Sequence, residues 1–229
     1  MVIGNGMIAQ AFKDALGDKD NICIFASGVS NSLCADQSQY ERESLLLKHF
    51  LNEKSKSEPF VYFGTCSVHD PELNSSVYVQ HKLLMEDMVL SESGGFIVRL
   101  PQVAGRGASP HTLLSFLYSA IAGAFPVSVK ENAFRNIIDV SDVVTIVLSL
   151  IETKQFANKI INVANVRSYS IYEIIETFEA LLGKKAIMNN VPGGAAYPID
   201  ITMIEPLLAM FNIRFDDDYL KRTISRYYL

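Results

Sequence analysis

The chain has 229 residues, enough for one sizeable domain or a domain with a small lobe. It is 49% hydrophobic and 20% charged, an ordinary globular balance, and its net charge of −5 gives no basic footprint for nucleic acid. No run reaches membrane-span length, and "MVIGNGMIAQ" lacks the basic start of a signal peptide. Cys23, Cys34 and Cys66 lack CxxC spacing, so no disulfide framework or metal site is expected, and a reducing cytoplasm fits.

In chain order, short apolar runs alternate with helical patterns, as in a parallel α/β sheet. "MVIG" is a brief strand and "MIAQAFKDAL" a helix with Ile8, Phe12 and Leu16 on one face, stopped by Gly17. Between them stands "GNGMIA". Glycines at such a turn let the backbone approach a pyrophosphate, and helix N-terminal amides bind its charge. A tight strand-to-helix turn needing glycine is the plainer alternative. "NICIFAS" is the next strand, and the loop after it has no acidic residue to grip an adenine ribose and no Arg for a 2′-phosphate. "QYERESLLLKHFLNEK" is a helix, "PFVYFGT" a buried strand, and residues 77–91 a helix beginning "VYVQHKLLME". "GFIVRLP" is a strand ended by Pro101, and residues 110–124 are helical. "NIIDVSDVVTIVLSLIE" turns from strand to helix, "KIINVAN" is a late strand, and "SIYEIIETFEALLG" is an amphipathic helix ending at Gly183. The remainder holds a loop, "VPGGAAYP", and a short helix, "DDDYLKRTISRYY".

Thr65, Tyr78 and Lys82 form the constellation of chemical interest. Tyr78 and Lys82 are four apart and share a helix face. A phenol is a poor base at neutral pH, but a neighbouring ammonium favours the phenolate, and the tyrosine can then exchange a proton with a substrate carbonyl or hydroxyl. Thr65 ends a buried strand, where ligands of open α/β sheets gather. With ten tyrosines in the chain, such a spacing also arises by chance, so a surface pair with a strand-end threonine stands as the alternative.

These segments, in this order, resemble the extended short-chain dehydrogenase/reductase family, specifically its NAD-dependent nucleotide-sugar epimerase/dehydratase/reductase group. "VIGNGMIA" resembles the dinucleotide loop. "FVYFGTCSVHD" is similar to the family's Ser-Thr-x-x-Val-Tyr-Gly strand, and "VYVQHKLLMEDMV" to its Tyr-x-x-x-Lys helix. "FIVRLPQVAGRG" and "FRNIIDVSDVV" resemble its Arg-Leu-Pro-Asn-Val-Tyr-Gly-Pro-Gly and Arg-x-Phe-Ile-His-Val-Asp-Asp-Val segments. The resemblance covers almost the whole chain and implies a Rossmann-like doubly wound parallel sheet, trimmed in its adenosine-binding half, with a small C-terminal substrate lobe. The core would span 1–165, with 104–132 contributing to the lobe, and the lobe 166–229.

The resemblance also implies roles. Tyr78 is the acid/base, Lys82 its partner and a nicotinamide-ribose ligand, and Thr65 the residue that orients the substrate. Gly4, Asn5, Gly6, Met7, Ile8, Ala26, Ser27, Gly28, Pro101 and Val103 join Tyr78 and Lys82 around NAD or NADP. Cys66, Ser67, Gln102, His111 and Arg135 face a nucleotide-sugar substrate. Taken as residues, Cys66 also reads as a small buried side chain, His111 as the cap of its helix, and Arg135 as a partner of Asp139 or Asp142. The stretch from the first helix to "FASGVS" is short for the family. "NICIFAS" is either the ordinary second strand, as a right-handed crossover favours, or a later one, as its loop favours. His69 and Asp70 replace the family's Tyr-Gly.

The Asp-Glu that follows the catalytic Thr in sugar dehydratases is Cys66-Ser67 here, which argues against dehydration. The expected reaction is ketone reduction on a nucleotide-linked sugar in surface polysaccharide synthesis. A nucleotide-sugar epimerase using Cys66 or His111 is the alternative, and a non-catalytic nucleotide-binding or scaffold protein the third reading. By analogy the helices 40–54 and 77–91 would form a homodimer.

Overall fold

The computed structural model describes residues 1–17, 22–53, 59–93 and 95–153, and resumes from 158 to 229. Asn21 and Lys54, which the sequence reading put in a strand and a helix, lie outside the described residues. The first half runs β1 (Val2–Ile3), α1 (Met7–Leu16), β2 (Cys23–Phe25), α2 (Gln37–Glu53) and β3 (Phe60–Thr65). A 3₁₀ turn (Cys66–His69), α3 (Val77–Ser93), β4 (Phe96–Leu100), β5 (Gln102–Ala104) and α4 (Leu113–Gly123) follow. Then come β6 (Pro126–Lys130), β7 (Phe134–Asp139), α5 (Val140–Thr153), β8 (Ile160–Asn162) and β9 (Ser168–Ser170). The chain closes with α6 (Ile171–Leu182), β10 (Ile187–Val191), α7 (Glu205–Met210) and α8 (Tyr219–Tyr228).

The central sheet is parallel throughout, in the order β1-β2-β3-β4-β8. Its strands are continuous apolar runs because both faces are covered. On one face Phe12 and Leu16 of α1 pack with Ile24, Val61, Phe63, Phe96, Val98 and the buried side of α5. On the other, Leu47 and Leu51 of α2 and Met85 and Val89 of α3 cover Cys23, Phe25, Phe60, Tyr62 and Ile97.

This arrangement settles the place of "NICIFAS". A usual dinucleotide fold has a central first strand, with the second and third on one side and the fourth onward on the other. Here β2 lies between β1 and the Thr65 strand, in the later position, and among the described residues no strand lies beyond β1. The β2-α2-β3 and β3-α3-β4 crossovers step the same way across the sheet over one face. The β1-α1-β2 crossover steps the same way over the opposite face, so it must have the opposite hand. About 98% of such units are right-handed. Of the two open placements the later one holds: β2 pairs with β1 on the side of the Thr65 strand, against the preference for a right-handed crossover. α1 packs against α5 on that face.

A further hydrophobic cluster lies apart from those two. Leu114, Leu117 and Ile121 of α4 and Val127 and Val129 of β6 meet Ile174, Ile175 and Phe178 of α6 and Leu220 and Ile224 of α8. β6 pairs with β10, and β7 pairs with β5 and β9. Ser170 and Glu173 form a capping box that starts α6. Ile201, Ile204, Leu207 and Leu208 return to the α1/α5 layer, so residues after 166 pack on both bodies.

Candidate active site

The carboxyl ends of β1, β2, β3 and β4 deliver four segments to one edge of the sheet. Gly4 has φ +123°, and a Cβ on it would lie 2.2 Å from the Ala26 carbonyl oxygen, so the loops leaving β1 and β2 touch backbone to backbone. Gly6 caps α1 with no side-chain hydrogen bond, and a Cβ there would meet nothing within 4 Å. The start of α1 thus carries no side-chain cap and has open space beside Gly6, an arrangement that suits an anion. Lys13 reaches back from α1 to Gly4 O (2.7 Å) and Asn5 Oδ1 (3.2 Å). Arg42 holds Ser27 through Oγ (3.1 Å) and the carbonyl (2.8 Å). Met7 packs at Gly105, and Ile8 and Val103 join the α1-side core. Pro101 and Gln102 are half-buried where β4 leads into β5.

Gly28 links this loop to the candidate acid/base pair, since a Cβ on it would fall 2.4 Å from Lys82 Nζ. Lys82 is buried and donates to Glu43 Oε1 (3.0 Å), Tyr62 OH (3.1 Å) and Phe63 O (3.4 Å). Tyr62 OH donates to the same Glu43 oxygen at 2.7 Å. Tyr78 is buried one turn before Lys82, in a cluster with Val29, Tyr40 and Val79. Thr65 caps the 3₁₀ turn by accepting the Ser67 N–H at 3.1 Å, and among the described residues no acceptor takes its own hydroxyl proton.

The 3₁₀ turn and β7 come together at Asp70 and Arg135. Cys66 is buried, its thiol pointing at Arg99 O (3.4 Å), and burial pushes that thiol up to about 12. Arg135 donates to Phe134 O and lies 3.7 Å from Asp70 Oδ2, a buried oxygen with no hydrogen bond of its own. The expected partner Asp139 or Asp142 is not its partner. Side chains four apart on a strand are roughly 13 Å apart. Asp139 instead receives Tyr227, Arg226 and Ser141, and Asp142 receives Tyr219. Tyr197 packs against this group; burial pushes its phenol up to about 12 against the pull of Arg135 and a hydrogen bond with Ser67. His111 is exposed, and its N–H turns back to Ser109 Oγ at 3.3 Å.

Sequence reasoning missed Glu43, Tyr62, Asp70 and Tyr197. Glu43 carried a readable signal, because it interrupts the buried stripe Tyr40-Leu47-Leu51 of α2. Tyr197 carried none, since a loop between two bodies has no periodicity.

The fold, with its parallel sheet, glycine loop and strand–turn–helix carrying Thr65, Tyr78 and Lys82, is Rossmann-like. No family model matches the sequence, and no curated protein does. Solved structures match. The chain is similar to a dTDP-4-dehydrorhamnose reductase from Clostridium acetobutylicum, with TM-score 0.76 and 17% identity over 97% of this chain and 96% of that one. It is similar to the UDP-glucuronic acid 4-epimerase of Bacillus cereus in complex with UDP-glucuronic acid and NAD, with TM-score 0.72 and 18% identity over 95% and 76%. A dTDP-glucose 4,6-dehydratase of Bacillus anthracis in complex with NAD gives TM-score 0.68 and 15% identity over 96% and 78%. At these identities the likeness is one of fold. No helix among the described residues is long and apolar enough to cross a membrane.

Proposed function

We propose that the chain is an NAD(P)-dependent reductase that converts a keto group of a nucleotide-linked sugar to an alcohol. The observation that carries this reading is the continuity of the site. The glycine loop touches the Ala26–Gly28 loop, which in turn covers Lys82 one turn from Tyr78. The uncapped start of α1 and the open space at Gly6 fit a diphosphate. Gly4–Ile8 would hold it, and Ala26–Gly28, Pro101 and Val103 would line the rest. The adenosine end would rest on the edge strand β1 alone.

When bound, the reduced dinucleotide supplies the hydride to the keto carbon. Tyr78 gives its phenol proton to the carbonyl oxygen, completing the alcohol, and regains a proton from water. Thr65 donates its hydroxyl proton to the same oxygen and orients it. Lys82, paired with Glu43, holds the geometry behind Tyr78. Ser67, Gln102 and Arg135 would meet the nucleotide sugar, as the similarity to UDP-sugar and dTDP-sugar enzymes suggests. Cys66 is turned to a main-chain carbonyl with its thiol pushed up by burial, and His111 is exposed, which favours reduction over an epimerase that uses either as a second base. Exposed Leu45 on α2 and Leu84 on α3 support the homodimer reading, which light scattering tests.

Titration with NADH and with NADPH, followed by nicotinamide fluorescence, should give saturable binding of at least one. Failure of both to bind at about millimolar concentration, the weak end of specific recognition, would favour the scaffold reading.

A further inference from the structure

Glu43 belongs to no motif, yet it has no exposed surface. Four groups from three segments converge on its carboxylate. Oε1 accepts Tyr62 OH at 2.7 Å and Lys82 Nζ at 3.0 Å. Oε2 accepts the Val29 N–H at 2.7 Å and lies 3.1 Å from His81 Nε2, which is out of line for a well-formed hydrogen bond. Burial opposes ionisation, but the Lys82 ammonium and these donors outweigh it and hold the carboxyl well below the usual range. Glu43 and Lys82 therefore form an ion pair of zero net charge.

An ammonium has three protons, and Glu43, Tyr62 and Phe63 O take all three of Lys82's. Gly28 seals the ammonium from above. A lone ammonium one helical turn from a phenol favours the phenolate, whereas a neutral pair exerts much less of that bias.

We infer that Glu43 is the positioning residue for Lys82, fixing the ammonium beneath Gly28 and neutralising its charge one helical turn from Tyr78. This rests on the proposed reading of Tyr78 as the acid of a reduction. The other titratable groups facing the pair are Tyr40 from α2, Tyr62 from β3, and His81 and Glu86 from α3, with Glu86 itself neutralised by Arg99.

The test is an NMR titration of the full chain carrying isotope-labelled tyrosine, without substrate or dinucleotide, with Tyr78 assigned from Tyr78→Phe. Glu43→Gln should move the Tyr78 midpoint down by about one pH unit, and Lys82→Met should move it up. The double variant should return to within a few tenths of a unit of the parent, a reciprocity that a merely structural role does not produce. If Glu43→Gln does not fold, Lys82→Met must still titrate above the double variant. A midpoint that ignores both charges overturns the role of Glu43 even where ketone reduction is intact. Reciprocal shifts in a protein that reduces no ketone uphold the charge coupling and reject the reaction.

Discussion

Glu86 and Arg99 offer a direct stability experiment beside the site. Arg99 Nη2 donates to Glu86 Oε2 at 2.6 Å, and Nε lies 3.1 and 3.2 Å from the two oxygens. The side chains are 14% and 2% exposed, and a Cβ on Gly64 would fall 2.2 Å from Glu86 Oε1, so β3 closes the pair in. Glu86→Leu strands a guanidinium with little access to water. Breaking a buried pair in this way costs about 3–5 kcal/mol, and the residual exposure of Arg99 places this case near 3. With m at about 2–3 kcal/mol/M for a domain of this size, the urea midpoint should fall by about 1 M. Adding Arg99→Met removes both charges and should recover stability to within about 1 kcal/mol of the parent. The chain has no tryptophan, so far-ultraviolet circular dichroism is the probe. A single variant costing under about 1 kcal/mol, or a double variant as unstable as the single, would refute the reasoning.

Four further outcomes are expected. Gly4→Ala forces a side chain into the Ala26 carbonyl at φ +123° and should cost about 1–3 kcal/mol or more and weaken dinucleotide binding. Gly6→Ala, which meets nothing, should leave the melting temperature nearly unchanged. Alkylation at mildly alkaline pH should label the half-buried Cys34 in the native protein and reach Cys66 only after unfolding, as peptide mass spectrometry would show; equal rates would contradict the burial that raises the Cys66 thiol. Because the folded protein depresses the Glu43 carboxyl, the stability it contributes is present above the ordinary value of 4.5 and is lost as pH falls below it. Urea midpoints measured down that range should fall less steeply in Glu43→Gln than in the parent.

The core elements were legible because their patterns are strong. The α1 stripe, the apolar runs of β3 and β4 and the stop at Gly183 lie where periodicity put them. The missed elements are short or exposed. β5 and β9 have three residues each, β10 is almost wholly exposed, β6 begins at a proline, and α7 is a six-residue helix in a stretch read as mixed. The position of β2 could not be read from handedness, because the chain breaks the usual rule there. At the site, the spacing of Tyr78 and Lys82 was visible, but the side chains that surround Lys82 come from α2 and β3, distant in sequence. Only the fold brings a buried glutamate to that lysine.

The central claim is that Tyr78 protonates a ketone reduced by a nicotinamide. Its most direct test is turnover of NADH or NADPH with a nucleotide-linked keto sugar, followed by loss of nicotinamide absorbance, in the parent and in Tyr78→Phe. The parent should oxidise the nicotinamide and yield the sugar alcohol, while a folded Tyr78→Phe should lose at least about a hundredfold in kcat, the scale of general acid catalysis. Undiminished turnover in that variant would contradict the account.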